Sequence, residues 1–183
     1  YQCNDAKRRI SERTPSRAEA GLPETGFVFC CFNNNYKIAP DIFDIWMRLL
    51  RAIDGSVLWL LEDNPAAARG LRREAQARGI APERLVFASR MPSPEHLARH
   101  RHADLFLDTL PYNAHTTASD ALSVGCPMVA CLGADFAARD GGVDEVRAFR
   151  GEARRGFPGG TAADSGCYRA VRTADSGYIL TRN

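Results

Sequence analysis

Residues 103–132 read ADLFLDTLPYNAHTTASDALSVGCPMVACL. ADLFL has the length and apolar character of a buried strand, and PMVACL at 127–132 is a second such run. Between them lie a turn-rich stretch and, over residues 117–124, the composition of a short helix. Strand, turn, helix and strand in so short a span make a crossover unit whose strands run parallel. Thr117 and Asp120 have the spacing of a helix start, with a hydroxyl N-cap and an acid in the first turn. A helix N-terminus presents unpaired N–H groups and a partial positive charge, so it can hold a phosphate. His115, Thr116 and Thr117 would be further donors at that mouth. Taken alone, the spacing favours the plainer reading, a capped helix with a surface histidine before it.

The same alternation extends upstream. GFVFCCF (26–32) has almost no polar alternation, as expected of a strand covered on both faces of a parallel sheet. After the polar turn FNNNYKIAP, Pro40 and Asp41 open a helix. Ile42, Ile45, Trp46, Leu49, Leu50 and Ile53 mark its apolar face, and Asp54-Gly55 ends it. SVLWLL (56–61) is a second strand, Asn64-Pro65 starts a helix that stops near Gly79, and LVFA (85–88) is a third strand. Ser93-Pro94-Glu95 reads as a capped helix start with proline in the tolerated first positions, and this helix carries His96 and Arg99. With ADLFL and PMVACL the strands number five, each joined to the next by a helix. The fold class is therefore α/β, a doubly wound, parallel, Rossmann-like sheet.

That architecture changes the weight of the polar clusters. Ligands of open α/β sheets bind outside the carboxyl ends of the strands. Residues 33–37 follow the first strand, 90–96 the third and 112–117 the fourth, so all three fall on one edge. The phosphate reading of the 115–117 turn gains from this shared placement. The glycine-rich dinucleotide fingerprint is absent after the first strand, and so is a Walker-type loop.

Composition bounds the remaining choices. The chain has 183 residues, 45% apolar and 25% charged, with a net charge of +2, values of an ordinary globule that call for neither nucleic acid nor membrane. The six cysteines, at 3, 30, 31, 126, 131 and 167, include no CxxC pair, so no metal is expected and a reducing cytoplasm fits. Cys30 and Cys31 read as small core fillers. Arg8, Arg9, Arg13 and Arg17 read as a solvated face, with phosphate binding the weaker alternative.

FNNNYKIAP, SVLWLLEDN, EHLARHRHADLFLDTLPYNAHTTASDAL and GCPMVACLG together resemble the C-terminal catalytic lobe of protein O-GlcNAc transferases, glycosyltransferase family 41, particularly its bacterial members. The resemblance covers roughly residues 1–139. It implies the nucleotide-binding lobe of a GT-B enzyme, UDP-GlcNAc as donor, a protein serine or threonine hydroxyl as acceptor, inversion at the anomeric carbon, and no metal or other cofactor. Position by position it implies that Asn34 and Lys37 contact the diphosphate, with Lys37 as the catalytic cation. It places Met91 (through its backbone), His96 and Arg99 around the uracil, His115, Thr116 and Thr117 on the phosphates, and Asp120 on the ribose hydroxyls. Each has a plainer reading beside it: Lys37 a surface lysine, His96 a first-turn surface residue, Asp120 a capping acid.

Departures from the family pattern qualify the resemblance. Ser93 stands where some relatives carry a lysine that touches the ribose. Ser123 and Val124 replace a tryptophan-alanine pair. A plant branch uses GDP-fucose and differs at the equivalents of His115 and Asp120, so their presence here favours UDP-GlcNAc. Residues 1–25 are expected to connect to a missing N-terminal lobe, 26–139 to form the UDP-sugar-binding lobe, and 140–183, with 8 of the 15 glycines, to form an irregular tail foreign to the fold. The expected partners are the UDP-sugar, a protein acceptor, the missing lobe and helical repeats. Alone the chain is expected to be inactive, and the competing reading is a non-catalytic nucleotide-binding remnant.

Overall fold

The structure, a computed structural model, describes residues 8–131, 168–172 and 177–182, with side chains for 8–130. Five parallel strands form its centre: β1 (Val28–Cys31), β2 (Val57–Leu61), β3 (Leu85–Ala88), β4 (Leu105–Leu107) and β5 (Met128–Cys131), side by side in the order β3-β2-β1-β4-β5. The connecting helices are α1 (Pro40–Ala52), α2 (Pro65–Ala77), α3 (Ser93–Arg99) and α4 (Thr116–Ser123). The expected doubly wound α/β sheet is therefore present. None of the described helices is long and apolar enough to cross a membrane.

The unalternated strand runs have their explanation in two apolar clusters, one on each face of the sheet. Val28, Cys30 and Phe32 of the first strand region, with Val57, Trp59 and Phe106, pack on Ala118, Ala121 and Leu122 of α4. Phe29 and Cys31, with Leu58 and Leu60, pack on Ile42, Phe43, Trp46 and Met47 of α1 and Ala75 of α2. Both sets of alternating side chains are thus buried, each such aliphatic or aromatic group contributing about 1.5–3 kcal/mol. At Gly26, with φ +108°, a Cβ would lie 2.3 Å from the Gly55 carbonyl oxygen. Only glycine lets the entry to β1 press against the turn before β2.

Several local expectations need correction. In α1 the buried residues are Ile42, Phe43, Trp46, Met47 and Leu50, whereas Ile45 and Ile53 are exposed. The apolar arc of this helix is wider than the face the sheet can cover, so packing chose the edge bearing Phe43 and Met47. Neither Thr117 nor Ser93 is an N-cap: His115 and Pro92 hold those positions without a side-chain cap bond, and Asp120 lies beyond the first turn of α4. Asn64 does cap α2, its side chain accepting from the Ala67 N–H at 2.8 Å.

The segments flanking the lobe also take part in the fold. Leu22, within the expected connector, is buried in the α4-side core, and Arg17 donates to the carbonyls of Pro23 and Gly26. Within 140–183, expected to be irregular, β6 (Tyr168–Arg172) and β7 (Gly177–Arg182) pair antiparallel, and β7 extends the sheet antiparallel to β5. YRAVR and GYILTR are too short to declare strands alone; the edge of β5 supplies the ladder for β7, and β7 that for β6. The rest of that expectation lies outside the described residues.

Candidate functional site

The polar clusters gather on the carboxyl edge of the sheet, and a buried network ties the one after β1 to the one after β4. Asp108, the first residue beyond β4, is 5% exposed. Its carboxylate accepts from the backbone N–H of Thr109 and of Ala114, both at 2.7 Å, and from the side-chain amides of Asn113 at 2.9 Å and Asn33 at 3.4 Å. Asn33, just after β1, also donates to the Thr109 hydroxyl at 2.8 Å, and its Oδ1 accepts from the Thr117 hydroxyl. The loop leading to α4 is therefore wound around one carboxylate and tied to the neighbouring strand. Burial pushes the Asp108 carboxyl up to about 6 against the pull of these donors.

This network holds the residues expected around a diphosphate. Lys37, half-buried at the end of a 3-10 turn over Asn35–Lys37, donates Nζ–H to the Asn113 carbonyl at 3.1 Å and lies 4.6 Å from the centre of the Tyr112 ring. Asn34 precedes that turn and its carbonyl accepts from the Lys37 N–H at 3.0 Å. Thr116, exposed, opens α4; His115 stands at its N-cap with its ring 6.2 Å from that of Tyr112. The Thr117 hydroxyl is turned inward to Asn33, so what Thr117 offers a ligand is its backbone N–H.

A second group surrounds α3. Met91 is half-buried between β3 and α3. Arg99, 1% exposed, donates to the Ser89 carbonyl at 2.7 Å and to His96 Nδ1 at 2.6 Å, and its guanidinium lies 4.4 Å from the centre of the Phe32 ring. Such a buried cation touches a ligand only through its neighbours. His96 is not a surface residue: it packs on Phe32 and His100, and its Nε2 is 3.8 Å from Asp120 Oδ2. Burial, with His100 and Arg99 adding positive charge, pushes His96 down to about 3, so it is neutral at pH 7 and the Asp120 contact is polar rather than ionic. With Nδ1 accepting from Arg99, the proton sits on Nε2 and faces Asp120.

The structure thus brings together His96, Arg99 and Asp120 in one group and Lys37, His115 and Thr117 in another, with Asn34, Met91 and Thr116 on the same edge. Sequence reasoning missed Asp108, Thr109 and Asn113 as organisers of the site. The available signal was a carboxylate directly after a buried strand. It also misread Arg8, which is no solvated side chain: it is half-buried against Asp120.

The buried titratable groups predict the acid side of the stability curve. His96 and His100, pushed down to about 3 and about 4 from 6.5, bind protons more readily when unfolded, so stability falls as pH drops below 6.5. Asp108, pushed up from 3.8 to about 6, acts oppositely, its cost being relieved between pH 6 and 3.8. Two histidines outweigh one carboxyl. Urea unfolding should find the fold about 2 kcal/mol less stable at pH 5 than at pH 7 from these groups, and His100→Gln should shrink that difference. A difference unaltered in the variant would contradict this account.

Known proteins were compared with the chain. The profile described as glycosyl transferase family 41 matches residues 5–144. The chain is 37% identical over 134 residues to the probable UDP-N-acetylglucosamine–peptide N-acetylglucosaminyltransferase SEC of Arabidopsis thaliana, covering 70% of this chain and 14% of that protein. It is 41% identical over 114 residues to the UDP-N-acetylglucosamine–peptide N-acetylglucosaminyltransferase of Caenorhabditis elegans, covering 62% of this chain and 10% of that protein. Among solved structures, a mutant O-GlcNAc transferase of Thermobaculum terrenum superposes with a TM-score of 0.63 at 35% identity, over 78% of this chain and 27% of that one. The chain therefore spans a small part of the length of these relatives.

Proposed function

The chain belongs to glycosyl transferase family 41, and from that premise we propose that its parallel lobe binds UDP-GlcNAc along the carboxyl edge of the sheet. In concert with a second lobe, it serves transfer of the sugar to a serine or threonine hydroxyl of a protein, with inversion. The observation that carries this reading is the convergence on one edge of a cation, Lys37, the N-terminus of α4 and the Asp120 carboxylate. A cation and a helix N-terminus suit the charge of a diphosphate, and a carboxylate can accept from ribose hydroxyls.

As the bond between the anomeric carbon and the β-phosphate oxygen breaks, its electron pair passes to UDP, and the acceptor hydroxyl, releasing its proton to solvent, forms the new bond from the opposite face. Charge on the departing diphosphate is met by the Lys37 ammonium, held beside the Asn113 carbonyl, and by the first N–H groups of α4. No metal is needed in this scheme. Asn34, His115 and Thr116 complete the diphosphate edge. Met91 and His96 lie toward the base, Arg99 acts by orienting His96, and Asp120 accepts from the ribose hydroxyls.

Calorimetric titration of UDP and of GDP into the 183-residue chain tests the nucleotide reading, with UDP expected to bind and GDP to bind more weakly. No detectable UDP binding would overturn it. Transfer from UDP-GlcNAc to a serine-containing peptide, with and without the rest of the enzyme, then separates a catalytic lobe from a nucleotide-binding remnant.

A further inference from the structure

The segment before β1 does more than lead into the lobe. The Ser11 N–H donates to the Pro94 carbonyl at 3.1 Å, Arg101 donates to the Ser11 carbonyl at 3.1 Å and to the Thr14 hydroxyl at 2.6 Å, and His102 meets the Pro15 carbonyl. Residues 8–15 thereby form a strap across α3, fastened at several points. At its far end the Arg8 guanidinium spans two elements of the ligand edge. Nη1 binds Asp120 Oδ1 in α4, and Nη2 donates to the Ser93 hydroxyl in α3 at 3.3 Å. The Arg8 side chain is 25% exposed and that of Asp120 8%.

Removing the guanidinium would leave the buried Asp120 carboxylate without its cation, so the pair also bears on stability, which the melts of the variants read. Its geometry has a sharper consequence. Arg8 engages one oxygen of Asp120, while the other, Oδ2, stands 3.8 Å from His96 Nε2, too far for a direct hydrogen bond. A hydroxyl beside that pair would donate to Oδ2 and accept from Nε2–H, which matches the dual capacity of a sugar hydroxyl. Rotation of the carboxylate would destroy the match, and the fork of a guanidinium is suited to prevent it.

We infer that Arg8 is a positioning residue of the nucleotide site: by joining Asp120 Oδ1 to Ser93 it sets the gap between α3 and α4 and aims Oδ2 at the ribose of a nucleoside diphosphate. The inference rests on the nucleotide reading above and adds to it a strap that belongs to the site. A ligand lacking a ribose hydroxyl gains nothing from Arg8.

The test is calorimetry of UDP, 2′-deoxy-UDP and 3′-deoxy-UDP with the wild-type chain, Arg8→Met and Arg8→Lys, beside thermal melts of each. Wild type is expected to prefer UDP over at least one deoxy analogue by about tenfold, one hydrogen bond's worth of about 1.4 kcal/mol. Arg8→Met should reduce that preference at least threefold by weakening UDP alone, and Arg8→Lys should restore part of it. Equal weakening of all three ligands, or an unchanged preference, would overturn the inference while leaving the nucleotide reading intact. Failure of wild type to bind UDP would instead sink that reading and this one with it. Should Arg8→Met not fold, Arg8→Lys and Arg8→Gln carry the same comparison.

Discussion

Lys37→Ala is expected to weaken UDP binding by about ten- to a hundredfold, the effect of removing one charge-assisted contact worth about 1.5–3 kcal/mol. The reason lies in where the ammonium is held. Its Nζ donates to the Asn113 carbonyl and lies beside the Tyr112 ring, next to the loop that feeds α4. Neither neighbour is an anion, so the charge is available to a diphosphate. Uridine, which has no phosphate, should bind the variant and wild type alike. Raising the salt concentration should narrow the gap between them for UDP. Equal UDP affinity in the two proteins would remove Lys37 from the site. If, as proposed, the lobe works with a second one, the transfer rate of the assembled enzyme should fall further than the affinity, because charge on the diphosphate grows in the transition state.

Asp108→Ala should produce the largest loss of stability. The substitution leaves the N–H groups of Thr109 and Ala114 and the amides of Asn113 and Asn33 without their common acceptor, at a position 5% exposed in the native fold. Orphaned buried donors cost about 1–3 kcal/mol each and relax in part, so a total of about 3–5 kcal/mol is expected. That is a large share of the 5–15 kcal/mol typical of a domain. Denaturant unfolding measures it directly. Asp108→Asn, which keeps one acceptor oxygen but turns an amide toward donors, should fall between. UDP binding should decline in both variants, because the carbonyl that holds Lys37 and the start of α4 hang from this carboxylate. A loss below about 1 kcal/mol in Asp108→Ala would show that the network is not the anchor described.

These two expectations differ in how far they were legible in the sequence. Lys37 stands out in FNNNYKIAP, a polar turn after a buried strand, and its position on the ligand edge follows from topology alone. Asp108 also follows a buried strand, but nothing in the sequence marks it as the common acceptor of a loop. Asn113 and Ala114 are its neighbours in the same loop, but Asn33 reaches it only when β1 and β4 pair. The same holds for Arg8, whose partner Asp120 lies 112 residues away. A charged residue in a polar segment reads as solvated until a distant carboxylate is placed beside it.

What the sequence by itself determined was the layering: five unalternated apolar runs separated by helices, three of them proline-started, admit few arrangements besides a parallel sheet covered on both faces. Strand type and edge placement follow from local composition and chain direction, which need no knowledge of contacts. The tertiary structure decided the rest. It chose which side of the broad apolar arc of α1 turns inward, burying Met47 and exposing Ile45. It turned the Thr117 hydroxyl from a presumed cap to Asn33, buried Arg99 behind His96, and gave YRAVR and GYILTR an edge to pair with. Apart from the Arg99–His96 contact, these depend on partners outside the segment itself, and hydrogen bonding and close packing act between neighbours in space, which periodicity along one segment does not encode.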